Sequence, residues 1–100
     1  MPYIKTSTRE NLDTDINKLV QKIIDQGEDG VCGNLNYVIT RIIAASLALD
    51  TDPRYSKING AIGVLECAKQ ELYRRIASPY EDTKIYQNGD VTEFEPVRIS

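Results

Sequence analysis

Between Tyr37 and Leu49 the chain reads YVITRIIAASLAL, an apolar run broken by one charge, Arg41. No other stretch limits the fold so sharply. The run is too short to cross a bilayer and carries a cation, so it reads as a helix that needs cover on most of its sides. Asn34 is a good cap for it, and about Leu49 is its end. Leu35, Val38, Ile39, Ile42, Ala45 and Leu49 then share one face. Tyr37, Ala44 and Ala48 lie opposite, and only Asn36, Thr40, Arg41 and Ser46 interrupt the apolar surface. In a chain of 100 residues this leaves two solutions, a central helix or a helix at a dimer interface.

The flanking segments are helical too. From about Asp13 to Gln26, Ile16, Leu19, Val20, Ile23 and Ile24 form a one-sided stripe that ends at Gly27. Residues 1–12 read as an arm: PYIK suits a short strand or an extended segment, and Ser7 with Glu10 has the spacing of a capping box. GEDGVCG is a connector; it lacks the Gly-Lys-Ser/Thr of a phosphate loop, and its acids repel phosphate. After Asp52-Pro53 a third helix is expected from Tyr55 to about Ala77. Its stripe is Ile58, Ala61, Ile62, Leu65, Ala68, Leu72 and Ile76, with Lys69 inside it and Glu66 and Tyr73 at its edge. Gly60 and Gly63 weaken it, which points to a close neighbour or a kink. No internal repeat, low-complexity run or heptad series stands out.

Ser78-Pro79-Tyr80-Glu81 has the marks of a fresh, separately capped helix folding back, with Gly89 as its stop. A hairpin around Asn88-Gly89 competes with it over residues 79–94. Residues 92–100 suit an extended tail or an edge strand, since Pro96 opposes a central one. The expected fold is mainly α: one helical domain over 1–100, a small bundle of three principal helices plus a short C-terminal helix, with a minor β element at the termini.

Composition excludes several chemistries. There is no histidine, and Cys32 and Cys67 stand far apart, so common zinc sites and Ser-His-Asp or Cys-His mechanisms are ruled out. Both cysteines read as small buried hydrophobes in a reducing compartment. A net charge of −3 argues against nucleic acid as a partner. The N-terminus shows no signal-peptide pattern, so a soluble cytoplasmic protein is expected.

Three groups of residues carry what chemistry there is. Glu66 with Glu71, joined by Glu81 and Asp82, would serve a magnesium-dependent nucleotide enzyme, but Glu66 and Glu71 diverge by about 140° around a helix. Local pairing of Glu71 with Arg74 and Arg75, and of Glu66 with Lys69, competes with that role. Arg74 and Arg75, with Arg41 and Arg54 from elsewhere in the chain, suit phosphate or carboxylate, and Tyr73 and Tyr80 suit stacking on a ring. Asn36, Tyr37 and Thr40 are polar groups on an apolar helix and need partners. A ligand pocket would therefore draw on Asn36, Tyr37, Arg41, Glu66, Tyr73, Arg74 and Tyr80. No metal site, cofactor or catalytic residue is assigned.

Several linked motifs share a further likeness. They are Gly33-x-Leu35-Asn36-Tyr37-x-Ile39-Thr40, Gly63-Val64-Leu65-Glu66-Cys67, Glu71-Leu72-Tyr73-Arg74-Arg75, Pro79-Tyr80-Glu81-Asp82-x-Lys84-Ile85 and Asn88-Gly89-Asp90-Val91. With the opening MPYIK, they resemble a family of small uncharacterised proteins of bacteria and their phages. The resemblance implies no activity. It implies that the helices and the segment after Pro79 form one unit, and it raises a phage or prophage origin. The function expected from all this is action through association, foremost with itself. A nucleotide- or phosphate-ligand binder, or a magnesium-dependent nucleotide pyrophosphohydrolase-like enzyme, is the alternative.

Overall fold

The computed structural model describes residues 4–95. They are mainly α, with the three principal helices and the shorter C-terminal helix of the small-bundle class: α1 (Thr6–Asp25), α2 (Val31–Ser46), α3 (Tyr55–Leu72) and α4 (Ser78–Asn88). No strand occurs among the described residues. The β element expected at the termini falls partly on residues 1–3 and 96–100, outside them. The chain divides into two compact units, Met1–Val64 and Leu65–Ser100.

In the first unit α1 starts at Thr6, well before the expected Asp13. No cap is needed at Asp13 because the helix is already running there, and the Arg9 guanidinium ties its first turn to the Ile4 carbonyl at 2.8 Å. Gly27, at φ 98°, turns the chain, a conformation that suits glycine. A 3-10 turn, Glu28–Gly30, then leads straight into α2. Hence α2 begins at Val31, and Asn34 sits inside the helix rather than capping it. α1 and α2 pack on each other, and Leu19 and Ile23 line one groove with Asn34, Tyr37 and Val38.

The end of α2 is a Schellman motif. Leu49 N–H donates to Ala44 O at 3.1 Å and Ala48 N–H to Ala45 O at 3.3 Å. This bends the chain at Ala48, whose φ of 51° is left-handed and normally belongs to glycine. α2 therefore stops at Ser46, short of Leu49. Asp52 opens the next helix by pairing with Arg54 at 3.0 Å and Lys57 at 3.2 Å.

Residues 65–88 of the second unit are helical throughout. The fresh start expected at Ser78 is absent: Ala77 and Ser78 keep helical angles, and no side chain caps the helix there. Pro79 instead acts on the turn before it. It has no N–H, and in an α-turn its ring would strike the Arg75 carbonyl. The helix widens into a π turn, Tyr73–Ala77, in which Ser78 N–H donates to Tyr73 O. α4 continues from it and ends where expected, at Gly89, whose φ is 87°. The hairpin is thereby excluded.

Burial departs furthest from expectation. Ala61, at 5 % exposure, is the only buried hydrophobic residue among those described. α2, expected to be covered on most sides, has no buried residue. Its unit supplies α1 to one flank, and Leu35, Ile39 and Ile42 stay exposed. Cys32 and Cys67 are exposed free thiols, contrary to the buried placement expected for them. A Cβ added at Gly60 or Gly63 would meet nothing within 4 Å, so no close neighbour explains those glycines.

Candidate functional site

The polar residues of α2 pair along their own helix, one turn apart. Thr40 Oγ1 donates to Asn36 Oδ1 at 3.3 Å, and Arg41 donates to the Tyr37 hydroxyl at 3.1 Å. The Arg41 guanidinium also lies 5.8 Å from the Tyr37 ring centroid. The i,i+4 spacing of a helix creates both contacts without any ligand. A recess of about 330 Å³ next to them is lined by Thr40, Arg41, Ala44, Ala45 and Asp50.

The second unit holds the charged group. Glu71 accepts from Arg74 and is 3.7 Å from Arg75. Glu66 accepts from Gln70 at 3.1 Å and lies 3.5 Å from the Lys69 ammonium. The Gln70 hydrogen bond and the Lys69 charge hold the Glu66 carboxyl below its ordinary range. Glu66, Lys69, Gln70, Tyr73 and Arg74 share a surface recess of about 410 Å³. Glu66, Tyr73 and Arg74 therefore come together, while Tyr80 stands apart from that recess with Lys84 5.5 Å from its ring centroid. Asn36, Tyr37 and Arg41 belong to the first unit.

One contact was not legible in the sequence. The Tyr73 hydroxyl donates to Glu81 Oε2 at 2.8 Å, and this bond, reinforced by the Glu81 charge, raises the Tyr73 pKa. Eight residues apart, the two would sit about 80° apart on a regular α-helix. The π turn absorbs one residue and brings them to the same face. Pro79, four residues beyond Arg75 in an unbroken helical stretch, is the signal that could have revealed it. Glu81 thus serves Tyr73 and not a capping box.

Among the described residues, no three acidic or thiol side chains converge as a metal site requires. No helix among them is long and apolar enough to cross a membrane. No curated protein and no solved structure matches the chain. A family model does match, over residues 1–91, which span every motif from the opening MPYIK to Val91. The chain belongs to the family described as a domain of unknown function, DUF6899.

Proposed function

We propose that this chain is a small helical interaction module of the cytoplasm that completes its core by binding a second copy of itself. The observation that carries this is the near-absence of buried apolar side chains among the described residues, with Ala61 the exception. Leaving Leu35, Ile39 and Ile42 of α2, and Leu12, Ile16 and Val20 of α1, in water forfeits the apolar burial that must offset chain entropy. An origin in bacteria or their phages fits the motif resemblance, and the acidic balance argues against nucleic acid as the partner.

Sedimentation velocity over a concentration series tests the proposal. A dimer or higher oligomer that dissociates together with loss of helicity is expected. A monomer that stays fully helical and cooperatively folded at high concentration overturns it.

The recess over Glu66, Lys69, Gln70, Tyr73 and Arg74 favours a second reading, an anionic ligand of the nucleotide-phosphate class, with or without magnesium. Against it, Arg74 and Lys69 are already engaged by Glu71 and Glu66. A thermal-shift panel of nucleotides with and without magnesium distinguishes the two. A bound ligand raises the melting point, and a flat panel removes this reading.

A further inference from the structure

The pair Asn-Gly occurs at Asn59-Gly60 and again at Asn88-Gly89. It is the dipeptide most open to loss of the side-chain amide, because glycine has no Cβ to shield its nitrogen from the Asn Cγ. Both asparagines are exposed, and neither carboxamide has a hydrogen-bond partner among the described residues. The two pairs are alike in sequence, and the backbone separates them. Asn59 lies inside α3, where the i→i−4 hydrogen bonds of the helix run across it. Asn88 is the last residue of α4. Gly89 follows at φ 87° and ψ 161°, so the chain has already left the helix there. The hydrogen bond that closes this junction runs from Gly89 N–H to Ile85 O at 2.8 Å.

We propose that Asn88 is a site of spontaneous deamidation, gated by that hydrogen bond, and that α3 protects Asn59. The reaction needs the Gly89 nitrogen to swing toward Asn88 Cγ, which a rotation about the Asn88 Cα–C bond achieves. At Asn88 the rotation releases the Gly89–Ile85 bond, at the very end of the helical ladder. At Asn59 the same rotation breaks the consecutive bonds that hold α3 together. One backbone hydrogen bond slows the reaction by about tenfold at most relative to the unfolded chain. The interior of a helix opens far more rarely than its end. In the reaction the Gly89 nitrogen gives up its proton and bonds to Asn88 Cγ. The Cγ–Nδ2 bond breaks, and Nδ2 leaves as ammonia with that proton. Water then opens either C–N bond of the succinimide, giving Asp or isoAsp at position 88. Water is consumed, ammonia is released, and nothing is oxidised or reduced. Both products put a carboxylate at the C-terminal end of α4, where the helix dipole disfavours an anion. IsoAsp also adds a methylene to the backbone, so Gly89 N–H no longer meets Ile85 O and the last turn is lost.

The test incubates the purified full chain at mildly alkaline pH, folded and in denaturing urea. Products are mapped by peptide mass and by isoaspartate methylation. In urea both sites are expected to react. In the folded chain Asn88 is expected to react within about tenfold of its rate in urea, while Asn59 keeps its amide. Asn88→Gln should leave the folded chain free of product. Equal rates at Asn59 and Asn88 in the folded chain overturn the protection by α3. An Asn88 that reacts in urea but stays intact when folded overturns the gating by a single hydrogen bond. An Asn88 that stays intact even in urea overturns the chemistry. Amide hydrogen exchange at Gly89 should be faster in the aged chain than in the fresh one, and unchanged protection there overturns the loss of the last turn.

Discussion

Replacing Pro79 with alanine should change the helix in a way that one hydroxyl reports. The π turn Tyr73–Ala77 exists because residue 79 cannot donate an N–H and would collide with the Arg75 carbonyl. Alanine restores the donor and removes the clash, so the turn should tighten to a regular α-turn. Proline and alanine differ by up to about 3 kcal/mol inside a helix, which is the upper bound on the gain. The geometry then changes by a definite amount. With one residue absorbed by the π turn, Tyr73 and Glu81 are effectively seven apart and about 20° from alignment. In a regular helix they are about 80° apart. The 2.8 Å hydrogen bond between them cannot survive that rotation.

Tyrosine labelled at Cζ and followed by NMR through a pH titration reads the result. In the wild type the Tyr73 pKa lies above its ordinary value of 10.0, raised by the Glu81 bond and charge. In Pro79→Ala it should return toward that value, and Glu81→Gln should lower it equally without altering the helix. The sign follows from linkage. A raised folded pKa gives stability that is complete below the ordinary value and is lost as pH climbs through the raised one. The wild type should therefore lose helicity at alkaline pH more steeply than Pro79→Ala. A Tyr73 pKa that stays raised in Pro79→Ala, while falling in Glu81→Gln, would refute the link between the proline and the wide turn.

Other outcomes follow from the same structure. Ala48→Gly should stabilise the chain by about 0.5–1 kcal/mol in denaturant unfolding, because a left-handed Schellman position suits glycine. Gly60→Ala and Gly63→Ala should each raise stability by up to about 1 kcal/mol, since the added methyl meets nothing. Glu66 has a lowered pKa, so its contribution is present above its ordinary value of 4.5 and is lost as pH falls through the lower one. Acid titration followed by circular dichroism should show a helicity loss that Glu66→Gln reduces.

Much of the architecture is legible from local chemistry. The stripe Ile16, Leu19, Val20, Ile23 and Ile24 marks α1, and Gly89 marks the end of α4. The side-chain pairs Glu71 with Arg74 and Glu66 with Lys69 follow from helical spacing alone. Start signals were less dependable. Asn34 and Ser78 look like caps, yet each lies in a segment that enters it already helical, from the 3-10 turn at Glu28–Gly30 and from the π turn. A cap has meaning only where the backbone upstream is not helical, and a residue type cannot report that.

What the sequence determines by itself is the helical class, the breaks at Gly27, Asp52-Pro53 and Gly89, and the absence of histidine chemistry, since periodicity, glycine, proline and composition act over a few residues. What only the tertiary structure decided is burial. YVITRIIAASLAL calls for cover, but apolar residues specify that they must leave water, not which surface takes them in. The placement of α1 leaves Leu35, Ile39 and Ile42 of α2 exposed, and Ile62, Leu65, Leu72 and Ile76 stay exposed along α3 and the π turn. A demand that looked internal to the chain is thereby left unmet among the described residues, because solvent exposure depends on where every other element has gone.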